Sequence, residues 1–254
     1  AASDVYKRQL SNNINAKQDI VDYFRKALIN CETPDLILIW ESYSYFFKTL
    51  YPKAKTLFQT PGFFSRPPYP QLIAVNEGML GDSHAPSPVS FGRVSFKSLR
   101  DELRPFFKET LQFNHQLIRL RSKYKHIILL PLQVDGYFMI DSSLKGKRQI
   151  DFLVSCLDLI PKDVGVLVTD YRSKDIQTTA ITEDIAALLR QKYPNFEYVD
   201  EINGGFCSSQ QLLPFVDGTI SISSSVGLQS VFWQLPTYIL DGNYVTLFRT
   251  ANSI

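Results

Sequence analysis

At 254 residues, with 44% hydrophobic residues, 18 Phe and 13 Tyr, the chain can bury a sizeable core and is excluded from the disordered class. A net charge of +2, from 27 basic and 25 acidic residues, carries no general nucleic-acid or membrane-surface signature. Three widely spaced cysteines (Cys31, Cys156 and Cys207) and three histidines fit neither a disulfide framework nor a dedicated metal site. No cofactor or metal is expected. No apolar run approaches the ~20 residues that cross a bilayer, and no signal peptide is visible, so a cytoplasmic protein is expected. Ala1 to Gln9 has no clear pattern, and both ends are expected to be incomplete.

In chain order, Pro34 introduces a buried strand over Asp35 to Trp40, and Glu41 to Leu50 reads as a short helix stopped by Pro52. Lys55 to Phe58 is a second strand, completing a β-α-β start. From Pro61 to Pro88 the prolines at 61, 67, 68, 70, 86 and 88 predict loop. Phe96 to Lys125 is helical, with Pro105 forcing a kink or break. Its basic end, Arg119 to His126, suits the helix dipole and solvent. Ile127 to Leu130 is a buried strand ended by Pro131. Ile150, Leu153, Val154 and Leu157 keep helical spacing up to Pro161. Val164 to Val168 is a strand, Thr182 caps a helix that opens with Glu183 and Asp184, and Phe196 to Val199 is another strand. Ser208 opens a short helix before Pro214. Asp217 to Ile222 runs as a strand into a serine-rich turn, a helix from about Ser225 to before Pro236, and a last strand at Thr237. Such alternation predicts an α/β protein with parallel sheets, divided into units of residues 10–122 and 123–254 that face a cleft.

Chemistry-bearing residues gather where these strands end. Ser223, Ser224 and Ser225 offer hydroxyls and amides at a helix N-terminus, which suits a phosphate and equally suits an ordinary N-cap. Gln133-Val134-Asp135-Gly136 follows the strand at 127–130. There Asp135 could be a nucleophile, a base, a sugar-hydroxyl acceptor or part of an Asp-Gly turn. Asp141 is a weaker second carboxylate. Arg172 follows the strand at 164–168 and has the fork geometry for a phosphate or carboxylate, or is a surface arginine. In the first half, Arg66 sits among aromatics and prolines as a candidate substrate contact. Glu41, Glu77 and Asp82 are the carboxylates available there for acid/base work in a retaining sugar transfer.

Three segments together resemble the bacterial capsule-polysaccharide synthesis family that includes the retaining β-Kdo glycosyltransferases. They are Leu130-Pro131-Leu132-Gln133-Val134-Asp135, Leu167-Val168-Thr169-Asp170-Tyr171-Arg172, and Val216 through Gly227. Tyr51-Pro52-Lys53-Ala54 through Pro61-Gly62-Phe63-Phe64 resembles the family's amino-terminal half, and the likeness spans residues 34–245. The resemblance implies a GT-B architecture of two Rossmann-like domains. It implies a CMP-Kdo-like nucleotide-sugar donor, a glycan or lipid-linked acceptor, and metal-independent retaining transfer; with a lipid-linked acceptor, a cytoplasmic protein would work at the inner membrane face. By position it makes Asp135 the active-site acid and sets Ser223, Ser224 and Ser225 on the donor phosphate; Gln133, Arg172 and Gly227 are the further expected donor contacts. Two departures stand out. Tyr171-Arg172 occupies the place of the family's His-Pro, and Thr60-Pro61 precedes Gly62 where the family has Glu. Arg172 and Glu77 are the candidates to replace the missing charge and acid. A non-catalytic GT-B-like binding module and a GT-B-fold epimerase are the alternatives.

Overall fold

The computed structural model describes residues 14–28, 32–40, 45–61, 73–76, 97–111, 114–134, 140, 143–171, 180–205, 207–240 and 249–254. Helix α1 (Ile14–Ala27) precedes β1 (Leu36–Trp40), α2 (Tyr45–Leu50), β2 (Lys55–Pro61) and β3 (Ile73–Asn76). β1 and β2 pair in parallel, with Leu36 beside Lys55 and Trp40 beside Gln59, as the β-α-β reading requires. β3 then returns antiparallel along β2, from Phe58 beside Asn76 to Pro61 beside Ile73. Part of the stretch expected to be loop is therefore strand, and this sheet is mixed where a parallel one was expected. Ile73, Ala74 and Val75 between prolines are enough for a short edge strand. One face of this sheet buries Ile39 and Phe58, while Leu36, Leu38, Ile73 and Val75 on the other are about half exposed. Val21 of α1 is fully buried, and the Phe24 ring lies 6.0 Å from that of Phe47 in α2.

Helices α3 (Lys97–Thr110) and α4 (Asn114–Lys123) lead into a second sheet. Pro105 lies inside α3 without ending it; the break falls after Thr110. Tertiary anchoring outweighs the lost amide. Arg100 donates to the Phe232 carbonyl at 2.9 Å, Arg104 donates to the Pro214 carbonyl at 2.5 Å, and the fully buried Phe107 meets the Trp233 ring edge-on at 5.4 Å.

The second sheet contains β4 (His126–Pro131), β5 (Val164–Thr169), β6 (Phe196–Glu197), β7 (Gly218–Ser221) and β8 (Thr237–Ile239). Its order is β6-β5-β4-β7-β8, parallel throughout, which in its own chain order is 3-2-1-4-5, the arrangement of a doubly wound sheet. Helices α5 (Gln149–Leu159), α6 (Glu183–Lys192), α7 (Asp200–Asn203), α8 (Ser208–Leu212) and α9 (Ser225–Phe232) connect or cover these strands. A 3₁₀ turn at Leu213–Phe215 follows α8. Successive strand residues point to opposite faces, so each strand feeds two cores. Ile128, Leu130, Val166, Val168, Ile220 and Ile222 pack with Leu153 and Leu157 of α5 and Leu189 of α6. Ile127, Leu129 and Leu167 pack with Phe107 of α3, Leu117 and Leu120 of α4, Val226 of α9, and Trp233. Burial on both faces explains why these strands read as continuous apolar runs. Phe107 of α3 and Leu117 and Leu120 of α4 lie before residue 123 in the chain and nonetheless belong to this sheet's core.

The basic stretch at the end of α4 is bound to the sheet rather than merely solvated. Arg121 donates to the Asp217 carboxylate at 2.5 Å and the Phe215 carbonyl at 2.6 Å, and Lys123 pairs with Glu197 at 2.7 Å. Asp217 also accepts the Ile127 amide at 2.7 Å, joining the start of β4 to the turn before β7.

Cys156 of α5 is fully buried in the first core, and burial pushes its thiol up to about 12. Because the thiolate is the reactive form, Cys156 should resist an aromatic disulfide reagent at pH 8 until denaturant is added. The half-buried Cys207 should react in the folded protein. Equal labelling of both in the native state would contradict this packing.

Candidate functional site

The carboxyl ends of parallel strands are where an α/β sheet accepts ligands, above all at the switch point where successive connections leave to opposite sides. In this sheet the switch point lies between β4 and β7, which pair through Ile128 beside Gly218 and Leu129 beside Thr219. The chain leaving β4 is Leu132, Gln133 and Val134; the chain leaving β7 is Ile222, Ser223 and Ser224.

Gln133 and Ser223 meet there. The Gln133 Oε1 accepts the Ser223 amide at 3.3 Å and the Ser223 hydroxyl at 3.2 Å. Gln133 is held from behind: its amide donates to the Gln149 side-chain oxygen at 2.8 Å, and its carbonyl accepts from the Gln149 Nε2 at 2.8 Å. Leu132 is fixed by donating its amide to the Thr169 carbonyl at 2.7 Å. Gln149 opens α5, where the backbone amide of Arg148 donates to Asp151 at 3.1 Å and the Arg148 guanidinium pairs with that carboxylate at 3.1 Å. Those bonds from Arg148 hold the Asp151 carboxyl below the usual carboxylate range.

The serines divide their work. Ser221 Oγ accepts the Ser224 amide at 3.1 Å, and Ser224 Oγ caps α9 by accepting the Val226 amide at 3.2 Å. Ser223 and Ser224 are buried, while Ser225, the first residue of α9, is half-buried. The capping alternative thus describes the Ser224 hydroxyl, and the Ser223 hydroxyl is engaged by Gln133. Gly227 faces the sheet rather than the loop: a Cβ there would stand 3.2 Å from that of Ser221 and 3.4 Å from Ile239. Close approach of α9 to β7 and β8 is its function in the fold. The same approach brings Thr219, Ser230 and Thr237 into a buried hydroxyl cluster, with Ser230 Oγ 2.9 Å from Thr219 Oγ1 and 2.6 Å from Thr237 Oγ1.

The exit of β5 adds polar groups to the same edge. Thr169 and Ser209 share a hydroxyl contact of 2.7 Å, which places α8 beside it. The buried Asp170 accepts the Ile181 amide at 3.2 Å, and its own amide donates to Asn203 Oδ1 at 2.7 Å. Asp135, Arg172, Glu77 and Arg66 lie outside the described residues, as do Glu41, Asp82 and Asp141. Of the sequence candidates, the structure therefore brings together Gln133 and the serine turn. It adds Gln149, Asp170 and Asn203, which sequence reasoning did not single out as site residues; a buried glutamine or asparagine has no periodicity or motif to mark it.

A groove of about 410 Å³ lies elsewhere, along the edge strand β6, lined by Arg119, Lys123, Arg190, Glu197, Asp200 and Glu201 among others. Its charges are occupied in part: Lys123 holds Glu197, and Arg190 donates to the Tyr198 carbonyl at 2.9 Å. Among the described residues, no group of three or more His, Cys, Asp or Glu is placed to hold a metal ion, and no helix is long and apolar enough to cross a membrane. No family model matches the chain, and no curated protein matches it either.

Proposed function

We propose that the protein binds a nucleotide sugar at the switch-point edge between β4 and β7, and that it is a glycosyltransferase of GT-B type acting in bacterial surface-polysaccharide assembly. The observation that carries the reading is the meeting of Gln133 and Ser223 across a 3-2-1-4-5 parallel sheet, where dinucleotide- and nucleotide-binding sheets place phosphates. The resemblance of the segments around Gln133, Arg172 and Ser223 to the β-Kdo transferase family supports a CMP-Kdo-like donor. In this reading Asp135 is the nucleophile or base, Arg172 and Ser225 contact the donor phosphate, and Glu77 and Arg66 serve the sugar and acceptor side. The acceptor is a glycan or lipid-linked glycan, met in the cytoplasm or at the inner membrane face.

The internal engagement of the Ser223 and Ser224 hydroxyls favours a second reading, a GT-B-like module that binds without catalysing.

Thermal unfolding with CMP, UDP, GDP and TDP tests the first step. A nucleotide at 100 times its dissociation constant adds about 2.7 kcal/mol of stability, and CMP is expected to give the largest rise in melting temperature. No shift with any nucleotide, in a protein that melts cooperatively, would remove the donor site. Asp135→Ala should then abolish transfer from CMP-Kdo while leaving CMP binding and the melt unchanged. Full activity in that variant would sink the role given to Asp135. Binding with no turnover by the unmodified chain would establish the module.

A further inference from the structure

Gln149 belongs to no motif, yet it is fully buried and grips one residue with both ends of its carboxamide. Its oxygen accepts the Gln133 amide and its nitrogen donates to the Gln133 carbonyl, both at 2.8 Å. That two-point bond is the one a neighbouring strand would make, delivered by a side chain just past the end of β4, where the parallel ladder stops at Pro131. A buried carboxamide satisfied on both ends is rigid, since turning it over would set oxygen against oxygen and nitrogen against nitrogen. The consequence passes to the Gln133 side chain, whose oxygen takes both the amide and the hydroxyl of Ser223. The helix that carries Gln149 is itself fixed at its start by the Arg148–Asp151 bonds. A continuous set of contacts thus runs from the start of α5, through Gln149 and Gln133, to the loop that opens α9.

We infer that Gln149 is a positioning residue for the switch-point site: by clamping the Gln133 backbone it sets where the Gln133 carboxamide meets the serine loop, and so fixes the gap between the loops leaving β4 and β7 in which a nucleotide phosphate is held. This rests on the nucleotide reading above for its ligand, and on the described contacts alone for the clamp.

The test combines one variant with a readout that needs no ligand and one that does. Gln149→Met keeps the side-chain length and removes both hydrogen bonds to Gln133. In the folded variant, hydrogen exchange at the Ser223 amide should quicken about tenfold or more, while the Leu132 amide, bonded to Thr169, keeps its wild-type protection. The dissociation constant for CMP should rise roughly tenfold, the scale of one or two lost hydrogen bonds. A purely structural role for Gln149 would move Leu132 and Ser223 together. Unchanged Ser223 exchange in folded Gln149→Met overturns the inference whether or not CMP binds. Faster Ser223 exchange in a protein whose wild type binds no CMP upholds the clamp and overturns the nucleotide reading. If Gln149→Met does not fold, Gln133→Met serves instead. It keeps the backbone pairing to Gln149 and deletes the acceptor, so Ser223 must again exchange faster, and unchanged exchange overturns the inference.

Discussion

Gly165→Ala should destabilise the protein by about 1–3 kcal/mol, the scale of overpacking in a closed core, seen as a lower denaturation midpoint at constant m-value. Gly165 is the second residue of β5, beside Ile127 of β4. A Cβ there would stand 2.5 Å from Cδ2 of the Tyr124 ring, 2.8 Å from its Cγ and 3.0 Å from its Cε2. The ring cannot step aside. It is 4% exposed, and its hydroxyl lies 2.7 Å from the Pro194 carbonyl and 2.8 Å from the Glu197 carboxylate. The Lys123 ammonium sits 4.8 Å from the ring centroid. Glycine is needed here for space, not for an unusual backbone angle. Adding Tyr124→Leu should relieve part of the clash, so the double-mutant cycle should show coupling of about 1 kcal/mol or more. Strict additivity would mean that the ring is not the obstacle.

Asn203→Leu should cost about 2–4 kcal/mol, because it leaves a buried donor without an acceptor in a space of unchanged shape. Asn203 is 4% exposed. Its Oδ1 accepts the Asp170 amide at 2.7 Å, and its Nδ2 donates to the Val199 carbonyl at 3.1 Å and reaches Val168 at 3.4 Å. The Val199 carbonyl keeps the Asn203 backbone amide at 3.0 Å, so the uncompensated loss falls on Asp170. The effect should therefore be local as well as global: Asp170 should exchange its amide faster, and the contact between its carboxylate and the Ile181 amide should loosen. A loss below about 1 kcal/mol would show that water or a shifted backbone replaces the side chain.

What could be read from the sequence was what depends on local pattern. β1, β4 and β5 are apolar runs bounded by Pro, Gly or Asp, β7 and β8 are short segments introduced by Asp217 and Pro236, and each lies where the pattern predicts. Thr182 caps α6 by accepting the Ile185 amide at 3.4 Å, and Ser224 caps α9, both visible as a short hydroxyl side chain before a helical stripe. What escaped depends on partners far away in the chain. Pro105 stays helical because Arg100, Arg104 and Phe107 are tied to Pro214, Phe232 and Trp233. β3 is short and lies among prolines, so its pairing with β2 is decided by the partner strand. α1 went unread although Val21, Phe24 and the basic Arg25-Lys26 end suit a helix. At the site, the positions of Gln133 and the serines were legible as strand ends. Their hydrogen-bond assignments were not, because residues 133 and 223 meet only once the strand order is known.

The placement of β7 beside β4 has a consequence for how the protein is made. β4 is the central strand, yet its partner on one side arrives 90 residues after Ile128, when Gly218 leaves the ribosome. At synthesis rates of about 5–20 residues per second, that is a wait of roughly 5–20 s, during which β5 and β6 can already be paired. Through that interval one side of β4, with its Ile127 to Leu130 run, is an uncovered template for another chain. The Asp217 carboxylate that later binds the Ile127 amide emerges immediately before the strand that ends the exposure. The candidate site is thus the last part of this sheet to exist apart from β8. A chain cut before Gly218 would lose it outright and keep the hazard for good.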